Sequence, residues 1–504
     1  MRSLQPSLYD RYSFLLLRLR DVLLFFVAKR YILFLNAFRL LSPEYLDWTS
    51  RVRAKRLFYY AARNVPAYRD FISDTDIQSW KDIPCTDKTN YIKKYSTEER
   101  CTGGKIPDTN VAIDESSGST GTPYDWVRSI QERKDSHAAV SYFASFCFGE
   151  KPLLVINAFS MGAWATGVNM GIALQRNGIV KNTGPDIGKI LHTLKFFGPT
   201  YEYLITGYPP FVKQLRDYAK EQQFPWGEYT ISALLGGEGM SEGLRDYLQS
   251  DFKKIYSGYG ATDLEIGIAG ETPVSVALRR LSRDNPTVRK ALFGEDSRLP
   301  MIFQYNPVMH YIEVNADNEL MFTITRESIL SPRIKYNIHD EGGVCRYDQM
   351  EAMLRELGFS LDALTENEEN GNLKFPFLWV YGRRDFTISI MGANIYPEDI
   401  EQCVYADAKM AKITRSFCQA VLESDNAQVR PAFYFEITEP PTEELQKYFA
   451  EKILEKLLET NADFRAAWHE YADTLKPEVY LFGVGDGPFN ADSTKIKQTR
   501  LLHS

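Results

Sequence analysis

The chain opens on an apolar stretch broken at short intervals by charge. Residues 13–41 read SFLLLRLRDVLLFFVAKRYILFLNAFRLL, with Arg18, Arg20, Asp21, Lys29, Arg30 and Arg39 inside it. The charge-free runs, Val22–Ala28 and Tyr31–Phe38, fall short of the roughly 20 apolar residues that a membrane-spanning helix needs. The internal charges, and the lack of a small-residue cleavage site after them, argue against a cleavable leader. Two readings stay open. The stretch forms one or two amphipathic helices docked on the body of the protein, or it presents a basic amphipathic surface to a membrane or a partner.

Further along, Arg51–Phe71 has a helical pattern that ends at Asn64-Val65-Pro66. Lys81–Tyr95 carries a turn entering a helix, with Thr86 or Asp87 as N-cap. Thr102–Asn110 is a loop rich in Gly, Pro and Thr. Then apolar runs and helical patterns alternate. Pro152–Ala158, Tyr203–Thr206, Thr230–Leu235 and Lys254–Tyr259 read as strands; Ile187–Phe197, Pro210–Gln222 and Ser241–Phe252 read as helices. Such alternation predicts an α/β layered fold with a mainly parallel sheet. Residues 300–350 hold short strands and turns, as in a small barrel or second sheet. The pattern changes near Gly382-Arg383-Arg384-Asp385. A helix over Ile395–Tyr405, a strand over Ala432–Ile437 and an amphipathic helix over Glu443–Glu459 predict a compact C-terminal α+β unit of about 120 residues. No repeat of 20–50 residues is visible.

Composition narrows the picture. The 504 residues are 44% hydrophobic and 25% charged, the balance of a soluble globular chain of at least two domains. With 13% aromatic residues, extended disorder is excluded. The net charge of −7 argues against nucleic acid as the main partner but leaves room for a small anion in a local site. The cysteines Cys85, Cys101, Cys147, Cys345, Cys403 and Cys418 form no CxxC pair, which points to a reducing, cytoplasmic setting without a disulfide framework or zinc knuckle. His137, His192, His310, His339, His469 and His503 show no metal-ligand spacing, and no Ser-His-Asp arrangement can be read.

The most informative stretch is Asp114–Pro123, DESSGSTGTP. Its glycines let the backbone approach a ligand closely, successive N–H groups can form an anion-binding nest, and the hydroxyls add donors. On composition alone a flexible linker is the stronger reading. Neither GxxxxGK[ST] nor GxGxxG is present.

Ser116-Ser117-Gly118-Ser119-Thr120-Gly121-Thr122-Pro123 resembles the phosphate loop of the adenylate-forming superfamily, the acyl-CoA synthetases and their relatives. More of that pattern follows in order. Gly236-Gly237-Glu238 resembles the segment flanking the adenine. Tyr259-Gly260-Ala261-Thr262-Asp263 resembles YGxTE, with Asp in place of Glu. Tyr336-Asn337-Ile338-His339-Asp340 resembles the stretch whose aspartate holds the ribose. Gly382-Arg383-Arg384-Asp385 and Gly392–Glu401 resemble the hinge and the start of a mobile C-terminal domain, and Lys497-Gln498-Thr499-Arg500 resembles the terminal KxxR with the catalytic lysine, Lys495 standing two residues earlier. Within the superfamily, Asn64-Val65-Pro66-Ala67-Tyr68 and Gly237-Glu238-Gly239-Met240-Ser241 resemble the phenylacetate–CoA ligase and capsule-biosynthesis branch.

The resemblance implies a helical extension over 1–50, a large adenylate-forming domain over 51–382 with a small barrel-like part, and a small mobile α+β domain over 383–504. It implies ATP-dependent activation of an aryl or acyl acid to an acyl-adenylate. Transfer to a thiol, that of coenzyme A first, would follow; an amine, a hydroxyl or a carrier-protein thiol are the alternative acceptors. A non-catalytic member of the fold is the remaining reading. Ser116, Ser117, Gly118, Ser119, Thr120 and Gly121 would hold phosphates; Gly236, Gly237, Glu238, Tyr259, Gly260 and Ala261 would border the nucleotide. Thr262 and Asp263, or Glu265, would place Mg²⁺. Asp340 and Arg383 would meet the ribose or phosphate, and Lys497 the reacting carboxylate. The acid pocket is expected near Phe159–Gly171 and Tyr208–Pro210. Peripheral membrane contact through residues 13–41 stays among the expectations.

Overall fold

Helices α1 (Leu8–Val27), α2 (Tyr31–Arg39), α3 (Pro43–Asn64) and α4 (Pro66–Phe71) form the N-terminal end of the chain. The computed structural model describes residues 5–27, 30–116, 124–163, 165–294, 296, 298–368, 370–383, 388–390, 393–423 and 429–490. The side chain of Ser42 caps α3 by accepting from Tyr45 N, and Pro43 sits at its first turn, where a missing N–H costs nothing. The helix runs unbroken past residue 50, so a boundary placed there falls inside it. Ser50 Oγ donates to His310 O at 2.8 Å, tying α3 to the body.

A hairpin, β1 (Val111–Glu115) and β2 (Asp125–Ser129), precedes helix α5 (Ile130–Phe148). Strands and helices then alternate: β3 (Leu153–Asn157), α6 (Ala165–Ala173), β4 (Gly178–Asn182), α7 (Ile187–Phe197), β5 (Glu202–Gly207), α8 (Pro209–Glu221), β6 (Thr230–Gly236), α9 (Glu242–Gln249) and β7 (Ile255–Ala261). These five strands are parallel. LLVIN and TISALLG are apolar on both sides because helices cover both faces.

The chain continues antiparallel through β8 (Glu265–Gly270), helices α10 (Pro273–Asp284) and α11 (Pro286–Phe293), β9 (Met301–Tyr305), β10 (His310–Val314), β11 (Glu319–Ile324), β12 (Tyr336–Cys345), helices α12 (Tyr347–Glu356) and α13 (Leu361–Leu364), and β13 (Phe377–Arg383). All join one eleven-stranded sheet in the order β10-β11-β12-β13-β9-β8-β7-β6-β5-β3-β4. The strands expected between residues 300 and 350 as a separate barrel or second sheet therefore extend this sheet. Apolar side chains from both faces form two cores, one with Leu154, Ile205, Ile231 and Leu244, the other with Val155, Leu234, Tyr256 and Phe38 of α2.

The C-terminal domain has its own core, from Ile388 to Val479. It contains β14 (Ile388–Ile390), β15 (Ala393–Ile395), α14 (Pro397–Ala406), α15 (Ala408–Ile413), β16 (Thr414–Glu423), β17 (Val429–Ile437), α16 (Glu443–Thr460), α17 (Ala462–Leu475) and β18 (Glu478–Phe482). Ile395, expected to begin a helix, ends the short strand β15 instead, and Pro397 starts α14.

Candidate functional site

The sheet changes from parallel to antiparallel at the β7–β8 turn, Thr262–Leu264. Ligands of open α/β sheets collect at such switch points, outside the strand ends. Here the turn is held from beneath by two buried arginines. Arg128 Nη2 donates to Thr262 O, and Arg333 Nε donates to Asp263 O at 3.0 Å. Burial and the nearby Arg128 charge push the Arg333 guanidinium down to about 10, while Trp126 and Tyr336 present their ring faces to it. Nothing local in the sequence marks either arginine; they reach the turn only through tertiary folding.

A groove of about 890 Å³ runs over this turn. Ser116, Gly237, Glu238, Tyr259–Asp263 and Asp340 all line it. Ser116 N donates to Tyr124 O at 3.0 Å and Tyr124 N donates to Ser116 Oγ at 2.9 Å, closing the base of the loop between them. Tyr259 donates its hydroxyl to Asp340 Oδ2 at 2.5 Å, and Tyr336 donates to Asp263 Oδ2 at 3.0 Å. Lys88, at the start of a short helical turn capped by Asp87, also borders the groove and was not singled out from the sequence. Arg383 pairs with Asp340 in the β12–β13 register, which puts its backbone beside the groove. Residues 117–123 of the expected phosphate loop, residues 384–387 of the expected hinge, and Lys497 with Lys495 lie outside the described residues.

Glu265 is the exception among the expected residues. Its carboxylate meets Arg326 and His310 in a buried cluster. Burial would raise this carboxyl; the Arg326 charge and the His310 contact more than offset that and hold it near about 2. It is engaged by these two side chains and does not line the groove, whereas Asp263 does. Among the described residues no group of three or more His, Cys, Asp or Glu side chains is placed to hold a metal ion. Mg²⁺ bound mostly by phosphates and water requires only one or two protein carboxylates, and Asp263 fits that smaller role.

The Gly236–Met240 segment is built on close contact. Gly237 has φ +84, and a Cβ there would lie 2.6 Å from the Tyr208 ring. Behind it lies a buried ion network. Arg245 Nε donates to Glu242 at 2.9 Å, its Nη2 to Glu271 at 2.5 Å and its Nη1 to Ile255 O at 2.7 Å. Arg279 Nη1 donates to Glu242 at 2.9 Å and to Met240 O at 2.8 Å. Glu271 accepts from Ser257 N at 2.8 Å, two residues before Tyr259. The network thus fixes both walls of the groove.

A second, mainly apolar cavity of about 510 Å³ adjoins the groove. Phe159, Met170 and Tyr208 line it, from the segments where an acid pocket was expected. So do Tyr31, Phe34 and Phe38 of α2, which the sequence left unassigned. Phe34 packs against Phe38 and Tyr142 at ring-centre distances of 4.5 and 4.9 Å. The two cavities share Gly237 and Gly258–Thr262 as a common wall. Trp164 lies outside the described residues.

The C-terminal domain closes the far side of the groove with Pro397–Asp399, Gln402, Tyr405 and Lys456. Arg298 lies between Tyr381 of β13 and Tyr396 at the entry to α14, 4.3 and 4.2 Å from the two ring centres, and is paired with Glu341 at 2.9 Å.

The fold is a large sheet domain with a small C-terminal domain. Among solved structures, the chain is similar to a 2-hydroxyisobutyryl-CoA ligase in its postadenylation state with 2-HIB-AMP. That likeness has a TM-score of 0.64 and 15% identity and covers 92% of this chain and 91% of that one. An open conformation of the same ligase with 2-HIB-AMP and CoA gives 0.56 at 13% identity over 93% of each chain. Its thioesterification state gives 0.53 at 16% identity over 88% and 87%. No family model matches this chain, and no curated protein does.

Proposed function

We propose that this protein uses ATP to activate an apolar carboxylic acid, aryl or acyl, as an acyl-adenylate and passes the acyl group to a thiol, coenzyme A first. The observation that carries this reading is the shared wall. An apolar cavity large enough for a carboxylic acid (ligand pockets run to about 300–1,000 Å³) meets, at Gly237 and Gly258–Thr262, a groove bordered by Ser116 and Asp340. A carboxylate at that junction faces the innermost phosphorus of a nucleotide laid along the groove.

The chemistry asks the protein for position and charge compensation rather than covalent help. In this reading the carboxylate oxygen attacks the α-phosphorus and pyrophosphate leaves; the thiolate sulfur then attacks the acyl carbon and AMP leaves. Ser117–Gly121 hold the outer phosphates, Asp340 accepts from the ribose hydroxyls, and Arg383 adds a fixed positive fork. Thr262 and Asp263 would hold Mg²⁺, which would supply Lewis-acid charge compensation to the phosphates. Lys497 reaches the carboxylate and the α-phosphate. Residues 51–382 form the nucleotide- and acid-binding domain, and residues 383–504 turn about Asp385 between the two half-reactions.

Carboxylate-dependent ATP–pyrophosphate exchange across a panel of aryl and fatty acids tests the reading. Exchange with at least one acid, lost in Lys497→Ala, is expected; no exchange with any acid would falsify it. Thioester formation on adding coenzyme A separates this acceptor from an amine, a hydroxyl or a carrier-protein thiol.

A second reading concerns location in a cytoplasmic setting. No described helix is long and apolar enough to cross a membrane. The outer face of α1 nevertheless exposes Leu8, Tyr12, Leu15, Leu16 and Leu19 beside Arg11 and Arg18, which supports peripheral contact with an anionic lipid surface. Flotation with anionic liposomes, lost when residues 1–41 are removed, is the expected result.

A further inference from the structure

The apolar cavity is not apolar throughout. Arg326, His310 and Arg53 line it, and none of the three lines the groove. Arg326 and His310 are at least nine-tenths buried. Arg326 spends one nitrogen, Nη2, on Glu265; its Nε and Nη1 find no hydrogen-bond partner among the described residues. His310 turns Nε2 to Glu265, and its Nδ1 is likewise unmatched, as is Nε of Arg53, whose Nη2 is paired with Asp21. Buried donors are normally satisfied, because leaving them bare forfeits the hydrogen bonds they made in water. Three side chains that line one cavity, each with a buried polar atom left unmatched among the described residues, mark a polar part of that lining.

We propose that this polar part of the lining recognises a second oxygen function on the acid, a hydroxyl, carbonyl or carboxylate distinct from the carboxyl group that reacts. The inference rests on the acid-activating reading and deepens it. The reacting carboxyl belongs at the junction of cavity and groove, at Gly237 and Gly258–Thr262. Arg326 and His310 border the cavity and not the groove, so the group they bind lies on the cavity side of that junction. The substrate class is thus an apolar acid with a polar group at a second position. A plain fatty or aryl acid fills the apolar part and leaves the arginine donors bare. Sites built to pair with a substrate oxygen discriminate strongly against the analogue lacking it.

The test is exchange kinetics with aryl and alkyl acids matched in length, each with and without a second hydroxyl or carboxyl group. The expected result is kcat/KM higher by about 10- to 100-fold for the substituted member of at least one pair, carried mainly by KM. Arg326→Lys keeps a cation beside Glu265 but loses the guanidinium fork; in it that ratio falls toward one. His310→Leu, which keeps the Arg326–Glu265 pair, lowers the ratio in the same direction, so one misfolding variant does not decide the matter. Equal kcat/KM within every pair, or a ratio unchanged in both variants, overturns this inference while leaving acid activation intact. Absence of exchange with any acid overturns the underlying reading and this one with it.

Discussion

Replacing Arg245 by Met puts the buried network to a quantitative test. Arg245 is 1% exposed and bridges Glu242, Glu271 and the Ile255 carbonyl. Glu242 keeps two other cations after the change, Arg279 at 2.9 Å and Arg280 at 3.3 Å, and so stays compensated; in the parent, burial would raise its carboxyl, and Arg245 first, then Arg279 and Arg280, hold it at about 2. Glu271, fully buried, loses the cation with which it pairs. Breaking a buried pair on one side costs about 3–5 kcal/mol, because the remaining charge is stranded in low dielectric. At about 2 °C per kcal/mol for a unit of this size, Tm falls by roughly 6–10 °C. The pair is buried, so added salt changes this little. Adding Glu271→Gln neutralises the stranded charge and still offers a carbonyl oxygen to Ser257 N; the double variant should regain about 2 kcal/mol over Arg245→Met. Scanning fluorimetry and urea unfolding of the parent, both single variants and the double variant complete the cycle. A loss below about 1 kcal/mol for Arg245→Met, or strictly additive effects of the two changes, refutes the argument that the network braces the groove.

Three further outcomes follow from the same geometry. Gly237→Ala forces a side chain into a left-handed backbone position and against the Tyr208 ring at 2.6 Å; it should cost about 1 kcal/mol or more and cut exchange, whereas Gly239→Ala, with open space around its Cβ, should leave both close to the parent. Phe34→Ala should cost about 2 kcal/mol by thermal unfolding and shift acid preference toward bulkier acids, since it removes part of the α2 wall; unchanged preference argues against α2 as a wall. Burial raises Asp399 from 3.8 to about 7, against hydrogen bonds from Tyr396 N and Asn461 that favour its charge. A carboxyl raised on folding stabilises the fold while protonated, so its contribution is present below about pH 4 and is lost as pH rises toward 7, by on the order of 4 kcal/mol at most. In Asp399→Asn that slope over pH 4–7 should be flattened; the same slope in both proteins refutes the assignment.

Much of the fold was legible in the residue pattern. The buried parallel strands are continuous apolar runs, and helix α7 begins and ends where its pattern does, capped by Asp186 and stopped at Gly198 with φ +73. The residues that line the groove come from such short-range signals: a glycine before a close approach, small residues at a turn after a strand. Two kinds of feature escaped. The strands of residues 300–350 carry an antiparallel pattern, but whether they close a barrel or lengthen a sheet depends on partners far away in sequence. The buried partners of functional residues escaped as well. Glu265 looked available for a metal because its sequence neighbours are Thr262 and Asp263; only the fold brings Arg326 and His310, 61 and 45 residues away, onto its carboxylate.

By itself, then, the sequence determined the layered α/β class, the run of short motifs along it and the separate C-terminal unit, because hydrophobic periodicity and turn chemistry act over a few residues. The tertiary structure alone decided that α2 walls the apolar cavity, that Arg128 and Arg333 hold the β7–β8 turn, and that cavity and groove meet at Gly237 and Gly258–Thr262. These are contacts between segments tens to hundreds of residues apart, and the energies that select them, burial of charge and the filling of space, have no signature in any local window of the chain.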